Sequence, residues 1–424
     1  MRTFKSFLAL LITSLVVSMI PAQAVTIPTV FEFSGSGYGH GVGMSQIGAR
    51  SRALSGESAT AILNYYYKDV VVAPYVDTHT IRVNIATRVK SISFTTHTLN
   101  ARLEVFESET SQSTQVPPIA KFATKKPALF TLVNQSISLN GVQRGKSLTV
   151  RWIGENSLIT MNQGKAATKY KYGYITLKVV KGAIEVTNTL ALRDEYLWGI
   201  GEVPSSWPAA SLEAQAIASR TYALTKLSSI RKECDCNLYN TIADQNFVGF
   251  SKESEPIYGQ LWKSAVNRTS ADATSGLVVT FNGKPANTYF FSSSAGLTQD
   301  VRDVWGGTFP YLISVPDTWS VSTALNPRYY IWNRDISQKV MATAFGLPDI
   351  VSYQVLSRSK TGSVTSIQGY SSSGKYVKLT GEVFRSRVKL PSTWFGLTFA
   401  VAPNNESDDC QLASIRARGR TAPC

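Results

Sequence analysis

Between His79 and about Thr187 the chain is written in a period of two. HTIRVNIA, SLTVRWIG and YITLKVVKGAIEVTN alternate apolar with polar residues, the pattern that puts one strand side chain in a core and the next in water. A block of this length excludes an all-helical fold. The polar stretch ESETSQSTQVPP, residues 107–118, reads as a loop between two of the strands.

The flanks follow other rules. A glycine-rich turn, FSGSGYGHGVGMSQ, leads into one helical region spread over Ala49 to Tyr67, with a break in its 3.6-residue periodicity near Gly56. Downstream, DEYLWGIGEVPSSW precedes PAASLEAQAIASRTYAL, where Ser206 and Pro208 are placed to start the strongest helix of the chain. IYGQLWKSAVNRTSA predicts another helix, GLVVTFNG with ANTYFFSSS a hairpin, Ser337 to Phe345 a further helix, and strand-like segments follow to about Phe399. Strand and helix regions are segregated and lack a βαβ rhythm, so the expected class is α+β, with strand-rich and helix-containing lobes. The chain has 424 residues, 43% hydrophobic and 17% charged. That describes a folded protein of two or three packed lobes.

The first residues carry Arg2 and Lys5, an apolar run from Phe7 to Ile20 and the Ala22-Gln23-Ala24 site. This is the pattern of a secretory leader over residues 1–24, and the run is too short to span a bilayer. An exported protein is expected, with no transmembrane segment after cleavage. The net charge of +15 comes from scattered basic residues without a Lys/Arg run. In an exported chain this points to anionic wall polymers or lipid surfaces and argues against a nucleic-acid site. The four cysteines fall as Cys234-Asp-Cys236 and as Cys410 with Cys424. An even count in an exported chain argues for disulfides, and Cys410–Cys424 would close a short loop in a polar tail. For Cys234 and Cys236, a bridge within the pair, cross-pairing with the tail and a metal site all stay open. No histidine lies near them to complete a zinc set.

Three clusters stand apart from ordinary core elements: GYGHGVGMSQIGA (37–49), GEVPSSWPAASLEAQAIASRTYA (201–223) and YFFSSSAGLTQDVRDVWGGTFPYL (289–312). Glycines around His40 let backbone and imidazole approach a ligand or a neighbouring loop closely, although a tight structural turn with a hydrogen-bonded histidine is the more ordinary reading of such residues. Glu202 stands at an apolar strand end just before the long helix, where desolvation raises a carboxyl toward a useful general acid. A helix-terminal or salt-bridging carboxylate would look the same in sequence. Trp207, Tyr222, Trp305 and Tyr311 offer surfaces for stacking sugar rings.

LALRDEYLWGIGEVPSSWPAASLEAQAIASRTYAL resembles the signature of the stage II sporulation protein D family, related to the amidase-enhancer proteins. There a Glu-Met-Pro stretch precedes a helix with Ala-Gln-Ala and Ala-Arg-Thr-Tyr-Ala. FSSSAGLTQDVRDVWGGTFPYLISVPD, GYGHGVGMSQIGA and DQNFVGF (244–250) resemble further family motifs, as does FRSRVKLPSTWF (384–395). In the sporulation proteins the Gly-His-Gly-Val-Gly-Met-Ser-Gln segment comes last, whereas here it comes first. The resemblance therefore implies a circular permutation, tolerable where the original ends lie close in space. It divides the chain into a leader (1–24), the permuted segment (25–78), a core (79–399) and a tail (400–424). Residues 31–75 are then expected beside the strands of the 377–399 region.

The resemblance implies a lytic transglycosylase acting on peptidoglycan strands stripped of stem peptides, with lobes around a glycan-binding cleft and Glu202 as the acid. Arg220 would hold Glu202 or bind the lactyl carboxylate of the sugar. His40, Ser45, Gln46, Gln245, Ser293 and Ser294 would line the cleft with the aromatic residues. Two departures are Glu-Val-Pro for Glu-Met-Pro, and Glu213 where a lysine is common. Some members bind zinc through a histidine and two cysteines. RKECDCNLYN lacks the histidine, so no metal and no cofactor is carried over. The alternative is a non-catalytic glycan-binding activator of a cell-wall amidase, while an adhesive wall protein would show repeats or an anchoring signal. Either of the first two readings places the protein outside the cell, at the wall.

Overall fold

The computed structural model of the protein describes residues 26–164 and 166–396. The expected leader and the Cys410–Cys424 pair lie outside them. The fold is α+β, and no helix among the described residues is long and apolar enough to cross a membrane.

The alternating block forms two sheets. A seven-stranded sheet runs in the order Leu238–Tyr239, Thr80–Val89, Ala183–Ala191, Tyr174–Val180, Ser147–Ile153, Arg102–Glu107, Ala120–Ala123. It is antiparallel except where Leu238–Tyr239 pairs parallel with Thr80–Val89. A six-stranded sheet holds Val142–Gln143, Ser136–Leu139, Ala128–Val133, Ser91–Thr96, Ile159–Gln163 and Ala166–Tyr170 in that order. Ile92, Phe94, Phe130 and Ile159 of the smaller sheet share one core with Val105, Val150, Ile175 and Leu177 of the larger. A one-residue slip would turn each of these sets to water, which is why alternation specifies register so strongly.

The helical region of residues 49–67 is two helices, α1 (Gln46–Leu54) and α2 (Ala59–Tyr66), separated at Gly56 with φ 88°. Each has a serine cap: Ser45 accepts from the Gly48 N–H, and Ser58 from the Ala61 N–H. The strongest helix, α3 (Ala209–Lys226), is buried on two sides. Leu212, Ala216 and Ala223 join the sheet core, while Ala214, Ile217 and Ala218 join a second core with Ile62, Leu63, Tyr66 and Val279. Alanines let neighbours approach on both sides, and α4 (Gly259–Arg268) packs against it. A third core gathers Phe31, Phe33, Trp332, Phe345, Phe384 and Phe395, and includes residues of α5 (Gln338–Phe345) and α6 (Gly381–Val388).

Two local expectations are corrected. GLVVTFNG turns back onto the short Lys284–Pro285 strand and pairs on its other side with Val71–Val76, while Phe290–Phe291 pairs parallel with Met44–Ser45. Residues 381–388 are helix α6, because Thr380 caps the Val383 N–H and starts a helical turn. Val30–Gly35 takes its strand partner from Trp332–Ser337, and it packs beside the 377–399 region as expected, through Phe33 against Phe384 and Phe395 and through the backbone at its end. There Gly35 bridges Phe395, and the N–H groups of Ser36 and Gly39 donate to the carbonyls of Trp394 and Pro391.

Candidate active site

The three cores meet at a cleft of about 310 Å³, lined by Tyr38, Gly39, His40, Gln46, Glu202, Ile242, Asp244, Phe290, Phe291, Ser292 and Arg385. Each core sets the position of charged or polar wall residues. Ile200 and Val203, in the sheet core, flank Glu202; Val42 and Met44, in the second, carry His40 and Gln46 beside them; Phe384 and Val388, in the third, fix Arg385.

Glu202 is half-buried and its backbone is clamped from both sides. Gly201 donates to the Asn246 carbonyl at 2.8 Å, the Asn246 side chain returns a bond to the Gly201 carbonyl at 2.9 Å, and Lys252 Nζ donates to the Val203 carbonyl at 2.7 Å. Gly199 makes the approach of the 246–248 segment possible, since a Cβ there would sit 2.4 Å from the Phe247 ring. The Asn246 N–H donates to Glu202 Oε1 at 2.6 Å. Burial raises the Glu202 carboxyl above its ordinary pKa, partly offset by that N–H and by the Gln46 side chain, which favour the carboxylate. The result is a positioned acid that holds its proton to higher pH than a free glutamate.

Asp244 is the second carboxyl of the cleft, and its oxygens are fully engaged. Arg231 donates to both at 2.7 Å, the Tyr222 hydroxyl donates to Oδ1 at 2.8 Å and the Tyr239 N–H to Oδ2 at 2.9 Å. Arg231 is in turn held by the loop that Cys234 and Cys236 close, for its N–H donates to the Cys236 carbonyl. Those two cysteines are bonded to each other. Among the described residues no three His, Cys, Asp or Glu side chains converge as a metal site requires.

His40 lines the cleft as a neutral ring. Its Nδ1 accepts from the Val42 N–H at 3.1 Å, and the Phe290 carbonyl favours its protonated form. Burial first, and the charge of Arg385 second, push its pKa down to about 3. Gln299 anchors this turn from behind, its Nε2 donating to the His40 carbonyl and to Thr393, with Ser363 donating to its Oε1. Trp305 packs on the His40 ring at 4.9 Å and is 45% exposed. Gly43 must be glycine: its φ is 80° and a Cβ would lie 2.1 Å from the Tyr289 carbonyl.

Of the residues singled out in the sequence, the cleft lining unites His40, Gln46 and Glu202, with Gln46 also bonded to Gln215 on α3 at 3.3 Å. The others stand elsewhere. Arg220 is fully buried, paired with Asp77 at 2.9 Å and bonded to Thr269. It neither holds Glu202 nor faces the cleft, because its charge is consumed by a carboxylate that would otherwise be buried unpaired. Ser45 and Ser294 belong to a buried network around Asp317 with Ser320 and Tyr66. Ser293 is buried and pairs with Tyr38 through its backbone. Gln245 is buried, bound by the Tyr196 hydroxyl at 2.6 Å. Tyr222 is spent on Asp244, and Tyr311 is buried. Trp207 lies under Arg50, 5.5 Å from its ring centre. Glu213 pairs with Arg268, so its reversed charge stays out of the cleft lining. Asp244, Arg385 and Tyr38 were missed, although all three sit inside motifs quoted for the resemblance. A charged residue within a motif was the signal available for Asp244 and Arg385, and an aromatic ring among glycines for Tyr38.

Residues 180–281 match the family model described as Stage II sporulation protein, SpoIID. The chain is similar to the Amidase enhancer of Bacillus subtilis (strain 168), 32% identical over 117 residues that cover 28% of this chain and 14% of that protein. It is similar to Stage II sporulation protein D of the same organism, 26% identical over 182 residues, 41% of this chain and 52% of the relative. For Stage II sporulation protein D of Bacillus amyloliquefaciens the figures are 30% over 144 residues, 32% and 40%. The chain spans about half the length of these relatives or less. No solved structure matches it. Glu202, Asp244 and Asn246 lie inside residues 180–281, the segment through which the chain is similar to the stage II sporulation protein D and amidase-enhancer proteins.

Proposed function

We propose that this protein is an exported peptidoglycan lytic transglycosylase with Glu202 as general acid and then base. The observation that carries the reading is the half-buried Glu202 carboxyl with raised pKa in the wall of an open cleft. Glu202 gives its proton to the glycosidic oxygen as the bond to the muramic acid C1 breaks. The carboxylate so formed takes the proton of the C6 hydroxyl as that oxygen closes on C1. A 1,6-anhydro ring forms, Glu202 is again protonated and no water is consumed. Two-carboxylate glycosidases need a second free carboxylate as nucleophile or base. Asp244 carries four donated bonds, which supports a scheme with one working carboxyl.

The same reading takes residues 25–78 as the displaced end of the domain 79–399, with the 400–424 tail outside it, and places the protein at the cell wall. A second reading rests on the similarity to the Amidase enhancer: a glycan-gripping activator of a separate amidase. Mass spectrometry of peptide-stripped peptidoglycan after incubation with the mature protein distinguishes them. Anhydro-ended saccharides are expected. Intact strands, together with faster release of stem peptides when a cell-wall amidase is added, would replace the first reading with the second.

A further inference from the structure

Among the described residues the cleft lining holds one cation, and it is not the arginine that the sequence nominated. With Arg220 sequestered by Asp77 and His40 neutral, Arg385 is the one positively charged side chain among the described residues that line the cleft. Resting on the glycan reading above, we propose that Arg385 is the specificity residue of this cleft, binding the free carboxylate of a carboxylate-bearing amino sugar.

The guanidinium is held as a prepared fork. Its Nε and Nη2 donate to the two oxygens of Glu382 at 3.0 and 2.5 Å, and Nη1 donates to the Pro391 carbonyl at 3.3 Å. An arginine has five N–H groups. These contacts use three, leaving one N–H on each terminal nitrogen to donate to the oxygens of a carboxylate. Glu382 and Arg385 are one turn apart on α6, whose Phe384 and Val388 are buried in the third core, so the fork is fixed before a ligand arrives. Glu382 is absent from the cleft lining, and the positive field of Arg385 still reaches His40, where it is the second cause of that ring's lowered pKa. Arg385 therefore presents both donors and charge to a ligand that shares the cleft with Glu202. A muramic acid whose lactyl group is free offers a carboxylate there; one carrying a stem peptide offers a neutral amide. The fork distinguishes the two by charge and by the loss of one acceptor oxygen.

The test compares peptide-stripped glycan with the same glycan after its carboxylates are converted to neutral methylamides. Parent protein, R385Q and R385K are measured for cleavage, and for binding in the E202Q background by calorimetry. A charge-assisted fork corresponds to roughly 10- to 100-fold in affinity. The parent is expected to prefer the free carboxylate by about that factor, R385Q to bring the ratio close to one, and R385K to keep part of it because the charge remains. Equal treatment of both glycans by the parent, or a uniform loss on both in R385Q with the ratio preserved, overturns the proposal while leaving cleavage by Glu202 standing. Absence of cleavage combined with a binding ratio that collapses in R385Q upholds Arg385 and removes the transglycosylase reading instead.

Discussion

Residues 80–191 and the walls of the cleft are built in contrasting ways. The two-sheet region buries Val83, Phe94, Leu103, Val150, Ile175 and Leu177 against one another, and its ladders join both neighbouring strands, as Tyr174–Val180 with Ala183–Ala191, and distant ones, as Thr80–Val89 with Ala183–Ala191. The cleft walls come from residues 38–46, 202, 242–244, 290–292 and 385. Buried polar groups hold that shell in place: Asp77 with Arg193 and Arg220, Asp317 with its hydroxyl donors, Gln299 with three segments. An apolar core tolerates small changes in shape, whereas a buried polar network loses much of its value when one member is removed.

Substitutions should expose that difference. Arg220→Met leaves Asp77 in the interior with only Arg193 as its ionic partner. A loss of about 3 kcal/mol is expected in urea unfolding, and retention of parental stability would show that the pair is dispensable. Ser320→Ala removes one donor, at 2.6 Å, from the buried Asp317 carboxylate. The expected cost is about 1–2 kcal/mol in thermal melting. Because Ser320 also meets the cap Ser45 at 3.1 Å, the loss should reach the glycine-rich segment and raise its amide exchange. Exchange confined to residues near 320 would break that link. The smallest effect is expected in the sheets: Ile175→Val trims a fully buried side chain for about 0.5–1.5 kcal/mol and leaves glycan affinity at the parental value. A change in affinity would mean that the two regions are not independent in the way their cores suggest.

The same contrast explains what could be read from the sequence. Alternation from Thr80 to Ala191 marked the strands because the signal is local, and Pro208 and Gly56 marked where helices begin and stop. The hairpin expected after Val279 was missed because Phe290–Phe291 finds its partner in Met44–Ser45, a pairing that no local pattern encodes. Glu202 stood out as a carboxyl in an apolar setting beside glycine. Arg220 looked like its companion for the same reason, a charge on the next helix, yet the side chain turns to Asp77, whose importance nothing in its own neighbourhood signalled. Arg385 was hidden in a segment that read as strand-like and is a helix in the structure, where a charge usually means a solvated face.

The central claim is that Glu202 delivers the proton. Peptide-stripped glycan is incubated with the parent and with Glu202→Gln across a pH series, and anhydro-ended products are quantified by mass spectrometry. The amide keeps the shape of the side chain and cannot donate a transferable proton, so the account predicts a rate loss on the order of a hundredfold to ten-thousandfold. Binding of the glycan should remain close to that of the parent. Because burial raises the Glu202 pKa, the parental rate should also persist above the ordinary glutamate range and fall as pH rises through the raised value. Cleavage by the Gln variant at the parental rate would contradict the account.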